Sequence, residues 1–328
     1  MPDPRLPDTV VARLAAWRVP RVFGIPGEPV AELVEALRAA GGEPELVPVR
    51  HGGNAASMAI AHARLTGGVG ICLSPAGPAA YGLLGGLDAA RRDTPPVVAI
   101  IGGEDPVRVD QMVAGLCRQV WHVDDPRRAP ALVDEAVRAA LAGRGPVCLV
   151  LPGALGGRWP TPGEPAGAVV EELSARVPPV AIVTVDGEPD LISHTRRLPP
   201  GIAVLACAAY EAPGAALSCA VAAKLADPDR PVFALVTDDG MRSQGFSELV
   251  TIAQGWPRWP DPRLVVLVLH PRAGHPADEV PYAGWARLLG LHGVRVDRPA
   301  LFGAACDQAL AADRPSVLDV SLTPDSHP

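Results

Sequence analysis

The sequence predicts two α/β domains of similar size, each built on a parallel sheet with helices on both faces. Three observations lead there. Short β-branched runs alternate with amphipathic helical patterns. The strand runs are near-continuously hydrophobic rather than alternating, as in sheets buried on both sides. The whole alternation then restarts after one stretch rich in Pro and Gly. A chain of 328 residues is long enough to bury two cores.

In the first half, helical patterns run over Asp8–Trp17, Val30–Ala40, Gly53–Leu65, Ala79–Arg91 and Pro130–Ala142. Strand patterns run over Val22–Gly24, Leu46–Val49, Val69–Leu73, Val97–Ile101 and Val147–Leu151. Pro152–Gly167 lacks periodicity and reads as a linker, giving domains at 1–155 and 169–328 with 156–168 between them. In the second half the expected strands are Val180–Val185, Ile202–Leu205, Val232–Val236, Leu264–Leu269 and Ser316–Val320. The expected helices are Asp190–Arg197, Pro213–Ala226, Phe246–Gln254, Tyr282–Leu289 and Leu301–Ala311.

Composition narrows the partners. A net charge of −7 gives no electrostatic footprint for nucleic acid or an anionic membrane surface. The N-terminus lacks an apolar leader pattern and no run reaches spanning length, so a cytoplasmic location is expected. The six cysteines form no C-x-x-C pair and lie mostly in apolar segments, which predicts buried free thiols. There is no G-x-S-x-G elbow, no Walker lysine loop and no H-E-x-x-H. The glycines of Gly82-Leu83-Leu84-Gly85-Gly86 read as helix packing.

Several segments, taken in order, resemble thiamine diphosphate (ThDP) enzymes of the acetolactate synthase and 2-oxo acid decarboxylase type. Arg21-Val22-Phe23-Gly24-Ile25-Pro26-Gly27-Glu28-Pro29 is similar to the opening of the family's pyrimidine-binding domain. Arg50-His51 with Ala55-Ala56, Ser74-Pro75-Ala76-Gly77-Pro78, Thr94–Ile100 and Gly145–Pro152 are similar to its later parts. Leu217–Leu235 followed by Val236-Thr237-Asp238-Asp239-Gly240-Met241 resembles the diphosphate-binding domain, where the family reads Gly-Asp-Gly. The resemblance implies two doubly wound parallel-sheet domains without the family's central domain. It also implies ThDP and Mg²⁺ as cofactors, a small carbonyl or 2-oxo acid substrate, and a homodimer or dimer of dimers with sites in an interdomain, intersubunit cleft.

The cofactor motifs depart from the pattern at several places. The family's activating Glu follows the Arg-His pair, and here that place is Gly52; general acid–base catalysis of this kind is worth ~10²–10⁴ in rate. Asn54 could offer a neutral hydrogen bond or serve a helix start. At the diphosphate motif Asp238 matches the metal-binding acid, and Asp239 stands where a glycine belongs. A carboxylate ~4 Å from a diphosphate charge costs about 4 kcal/mol at an effective dielectric of ~20. The family's Asn pair after the next strand is replaced by His270-Pro271, and imidazole is a poor Mg²⁺ ligand.

Candidate catalytic residues are therefore Glu28, His51, Asn54, Asp239 and His270. Candidate cofactor contacts are Asp238, Asp239, Gly240, Gly77 and Gln111, with Asp238 the candidate metal ligand. Asp110, Glu188, Tyr210, Glu211, Arg242, Arg272 and His275 are further candidates for the cleft rim. Three roles stay open: a repurposed enzyme without standard ThDP/Mg²⁺ activation, a divergent working lyase or carboligase, and a non-catalytic partner of a related ThDP subunit. The Trp256–Trp259 loop has no counterpart in the resemblance and is expected at a cleft or a subunit contact.

Overall fold

The computed structural model describes residues 5–103, 108–143, 145–153, 163–206, 213–270 and 279–322. The chain divides into two compact units, Met1–Trp159 and Pro160–Pro328. In the first, the order is α1 (Leu6–Ala16), β1 (Arg21–Gly24), α2 (Ala31–Ala39), β2 (Glu45–Pro48), α3 (Gly52–Thr66) and β3 (Gly70–Pro75). Then come α4 (Pro78–Tyr81), α5 (Leu83–Asp93), β4 (Val97–Gly102), α6 (Val109–Ala114), β5 (Val120–His122), α7 (Ala129–Gly143) and β6 (Pro146–Leu151).

The second unit opens with α8 (Gly163–Ser174), β7 (Ile182–Val185), α9 (Pro189–His194), β8 (Ala203–Ala206), α10 (Ala215–Ala226) and β9 (Val232–Thr237). A short helix α11 (Asp238–Gly240) passes through a π-turn at Met241–Gly245 into α12 (Phe246–Gly255). The unit ends with β10 (Leu264–His270), α13 (Tyr282–Leu288), β11 (His292–Val296), α14 (Phe302–Ala311) and β12 (Ser316–Ser321).

Both sheets have six strands, in the orders β2-β1-β3-β4-β6-β5 and β11-β12-β10-β9-β7-β8. Every strand pair is parallel. Read from β8, the second order repeats the first element for element, so the two units share one topology. Helices cover both faces because parallel neighbours require crossovers. Each sheet therefore carries two cores. One face of the first sheet packs on α1, α2 and α7, and the other on α3 to α6. In the second unit α8, α9 and α14 cover one face, with α10, α12 and α13 on the other. The central strands β3, β4, β9, β10 and β12 are buried along their whole length, which is why they read as continuous hydrophobic runs.

The structure departs from the sequence expectations in four places. The edge strands β5 and β11 and the short α6 did not stand out, because Val-Trp-His and His-Gly-Val-Arg-Val are brief and partly exposed. Helix α8 begins at Gly163, inside the stretch expected to be linker. Pro165 is compatible with its first turn, where an N–H has no helical acceptor anyway. The single helix expected over Ala79–Arg91 is two, α4 and α5, joined at Gly82. Finally, Trp259 belongs to the core near the start of β10, the end of the sheet away from the strand-end turns.

Candidate functional site

A doubly wound sheet leaves a crevice where the chain order reverses, beyond the carboxyl ends of the two strands there. In the first unit that point lies between β1 and β3, in the second between β7 and β9.

In the first unit the turns after β1 and β3 meet. An added Cβ at Gly27 would stand 3.0 Å from Pro75 Cγ. Glu28 opens a short 3₁₀ turn after β1 and is exposed. Gly77 precedes α4 with φ 79° and ψ −150°, a conformation that excludes ordinary side chains. Arg50-His51 leads into α3, where His51 caps the helix: its Nδ1 accepts from Gly53 N at 3.1 Å. This leaves Asn54 uninvolved in capping, exposed on the outward face with Met58, Ala61 and Leu65. Gln111 is exposed on α6.

Gly52 is the decisive position in this unit. A Cβ there would lie 2.7 Å from Leu83 N, 2.8 Å from Gly82 C and 2.9 Å from Ala79 O. All three are backbone atoms, so nothing can swing aside. The start of α3 is packed directly onto the α4–α5 joint, and the position is closed to a carboxylate side chain.

The second crevice is occupied by the protein itself. Asp186 follows β7 and is 1% exposed. Its Oδ1 accepts from Gly214 N (3.0 Å) and Ala216 N (3.1 Å) at the start of α10. Its Oδ2 accepts from Thr237 N (3.2 Å) and the Thr237 hydroxyl (3.5 Å) at the end of β9. Thr237 Oγ1 in turn accepts from Gly240 N at 3.1 Å, capping α11. Desolvation pushes the Asp186 carboxyl up to about 6, although its backbone hydrogen bonds pull the other way. Gly240 is sterically required: a Cβ would stand 2.2 Å from Asp186 Oδ2 and 2.7 Å from Gly214 N.

The two adjacent acids differ. Asp238 is clamped, with Arg242 Nε 2.7 Å from its Oδ2 and the Tyr282 hydroxyl donating to Oδ1. Burial first, then the Asp238 carboxylate, raises the Tyr282 phenol well above its usual range. Asp238 is therefore paired inside the unit. Asp239 is exposed on the first turn. The π-turn follows at once, and such turns recur at functional sites.

His270 lies inside the second unit. It is 5% exposed, and its Nε2 lies 2.7 Å from Asp319 Oδ1, against the flank of β12 rather than on a rim. Asp319 Oδ2 also accepts from Ala283 N at 3.4 Å, and the His270 ring lies 6.1 Å from that of Tyr282. Glu188 stands just before α9. The side chain of Asp110, and residues Tyr210, Glu211, Pro271, Arg272 and His275, lie outside the described residues. No group of three or more His, Cys, Asp or Glu side chains is placed to hold a metal among the described residues. No described helix is long and apolar enough to cross a membrane. The described cysteines are free: Cys72, Cys117, Cys148 and Cys306 are buried and Cys219 is partly so.

Fold and strand-end turns together define the class: a two-unit α/β protein with a parallel, doubly wound sheet in each unit. Residues 5–119 match the family described as thiamine pyrophosphate enzyme, N-terminal TPP binding domain. The similarity to thiamine diphosphate enzymes therefore lies in the first unit. It is 34% identical over 160 residues to a pyruvate oxidase of Lactiplantibacillus plantarum, covering 44% of this chain and 25% of the relative. It is 36% identical over 149 residues to an acetolactate synthase of Bacillus subtilis, covering 42% and 25%. Against the acetolactate synthase isozyme 2 large subunit of Escherichia coli it is 37% identical over 154 residues, covering 44% and 28%. The matched stretch thus spans about a quarter of each relative's length.

Proposed function

We propose that this chain is a divergent ThDP-enzyme-fold protein that binds and acts on a small carbonyl or carboxylate compound of the 2-oxo acid type without standard ThDP/Mg²⁺ activation. The observation that carries the reading is the closure of position 52 by the backbone of Ala79, Gly82 and Leu83. The resemblance places there the carboxylate that activates the cofactor. The second unit supports it. Asp238 is held by Arg242 and Tyr282, His270 by Asp319, and the switch-point amides by Asp186. The donor set that the resemblance assigns to diphosphate and metal is thus engaged in internal pairs, and it does not fit the family's cofactor.

The relatives' printed names, pyruvate oxidase and acetolactate synthase, motivate the 2-oxo acid class by analogy alone. Self-association belongs to the same reading. The outward face of α3 carries Met58, Ala61 and Leu65, and that of α10 carries Ser218, Cys219, Ala222 and Leu225, all uncharged. Faces of this kind suit a second copy of the chain.

A second reading, a working ThDP lyase or carboligase, is favoured by Gly240. Since the turn requires glycine at 240, the Gly-Asp-Gly pattern can be set one residue later, with the exposed Asp239 at the acid's place. Arg242 then offsets the charge of Asp238. Thermal-shift titration of the full chain separates the readings. Stabilisation by pyruvate or 2-oxobutyrate without added cofactor is expected from the first. Stabilisation that needs ThDP with Mg²⁺ would establish the second, and no response to either would overturn both.

A further inference from the structure

We propose that the Asp186 carboxylate is a charge-dependent latch: ionised, it ties the start of α10 to the Thr237–Gly240 turn, and on taking a proton it lets go of the turn. The inference concerns the conformation of the second unit and holds whichever chemistry the chain performs.

The geometry rests on what the carboxylate meets. Among the described residues every hydrogen-bond partner of this carboxylate is a donor: the amides of Gly214, Ala216 and Thr237 and the Thr237 hydroxyl. An ionised carboxylate has only acceptor sites, so all four contacts are met at once. A proton on Oδ2 turns that oxygen toward donating and sets it against Thr237 N–H. The Thr237 hydroxyl can take that proton on its second lone pair only by turning its own O–H away from Oδ2, so the bond it donates to the carboxylate is given up. The bonds on Oδ1 are untouched by that proton. The latch therefore opens on its β9 side, the side that carries Asp238 and Asp239.

The surroundings make the group sensitive. Asp186 is buried against Gly240, where an added Cβ would stand 2.2 Å from its Oδ2. Among the described residues the charged groups on the elements packed around it are Asp238 and Asp239 on α11, Arg242 on the π-turn and Lys224 on α10, with Glu188 and Asp190 beyond β7. Asp238 faces Arg242 and Tyr282, and Lys224 faces the carbonyls of Pro228 and Arg230. Desolvation therefore dominates, lifting the carboxyl from 3.8 to about 6.

The sign follows from linkage. A folded-state value above the unfolded one means that the native unit binds the proton more tightly. This group's contribution to global stability is full below the unfolded value and is lost as pH rises through about 6. Acidification from 7 to 5 thus loosens the turn locally while this carboxyl does not weaken the fold. A carboxylate serving only as an ordinary anchor would do the reverse.

The test is amide hydrogen exchange on the full chain at neutral pH and at pH 5, corrected for intrinsic rates, together with ¹³C-carboxyl NMR titration of Asp186. Protection of Thr237 and Gly240 should fall by about ten-fold on acidification, the effect of one lost hydrogen bond. Gly214 and Ala216 should hold, and the midpoint should coincide with the carboxyl titration near 6. Asp186→Asn should lower protection of Thr237 at both pH values and abolish the pH response. Thr237 and Gly240 protection unchanged with pH in the wild type, or an Asp186 midpoint below 4, would overturn the latch. The wild-type series decides the matter even if the variant does not fold.

Discussion

Gly52 and Gly82 lie so close that a Cβ on either would press into the other's backbone. Overpacking of this kind costs typically 1–3 kcal/mol. Gly52→Ala should therefore lower the stability of the first unit by about that amount, read from the denaturation midpoint, and Gly52→Glu should cost at least as much. A Gly52→Glu variant as stable as the wild type would remove the steric argument. The Asp238–Arg242–Tyr282 clamp sets a similar expectation. Arg242→Met leaves a partly buried carboxylate with one partner fewer, at a cost of about 1–3 kcal/mol. If the charge on Asp238 were met by solvent alone, that substitution would be close to neutral.

At the scale of elements, helix α10 has a single charge, Lys224, the only lysine of the chain. It is fully buried, donating to Pro228 O at 3.0 Å and Arg230 O at 2.7 Å, with Nζ 5.8 Å from the centre of the Trp259 ring. Burial lowers its proton affinity, and Asp261 works against that. Lys224→Met keeps most of the volume but strips two carbonyls of a donor. A loss of about 1–3 kcal/mol with altered Trp259 fluorescence is expected, and unchanged emission would show that the contact is not made in solution.

The elements also show what sequence could reveal. Central strands were legible because burial on both faces writes an unbroken hydrophobic run, as in Leu264–Leu269. Edge strands β5 and β11 were not, since half-exposed residues relax that pattern. In the Trp256–Trp259 loop the sequence did not show that Trp259 packs into the core, because paired tryptophans beside prolines resemble a lid as much as a core contact. Glu28, Gly77 and Asp239 were singled out from motif positions, and they sit in the turns after β1, β3 and β9. Asp186, Thr237, Tyr282 and Asp319 were missed because a single sequence does not show which acid a distant amide will meet. Asp319 still left a signal: a lone carboxylate between Leu318 and Val320 in a strand otherwise fit for burial.

Across the whole molecule, two units of one topology have diverged at corresponding switch points. In the first the turns after β1 and β3 are half-buried apart from exposed Glu28, and the second fills its crevice with Asp186. Met58 and Leu65, 43% and 87% exposed on α3, mark the face expected to meet another copy. Met58→Glu with Leu65→Glu should shift sedimentation from dimer to monomer with the circular dichroism unchanged. A wild-type chain that sediments as a monomer at every concentration would contradict that expectation.

The most direct measurement is isothermal calorimetry of the full chain with ThDP in the presence of Mg²⁺. A cradle engaged by its own side chains predicts no saturable heat at micromolar cofactor. Micromolar, Mg²⁺-dependent binding would contradict the account and transfer the site to the second reading.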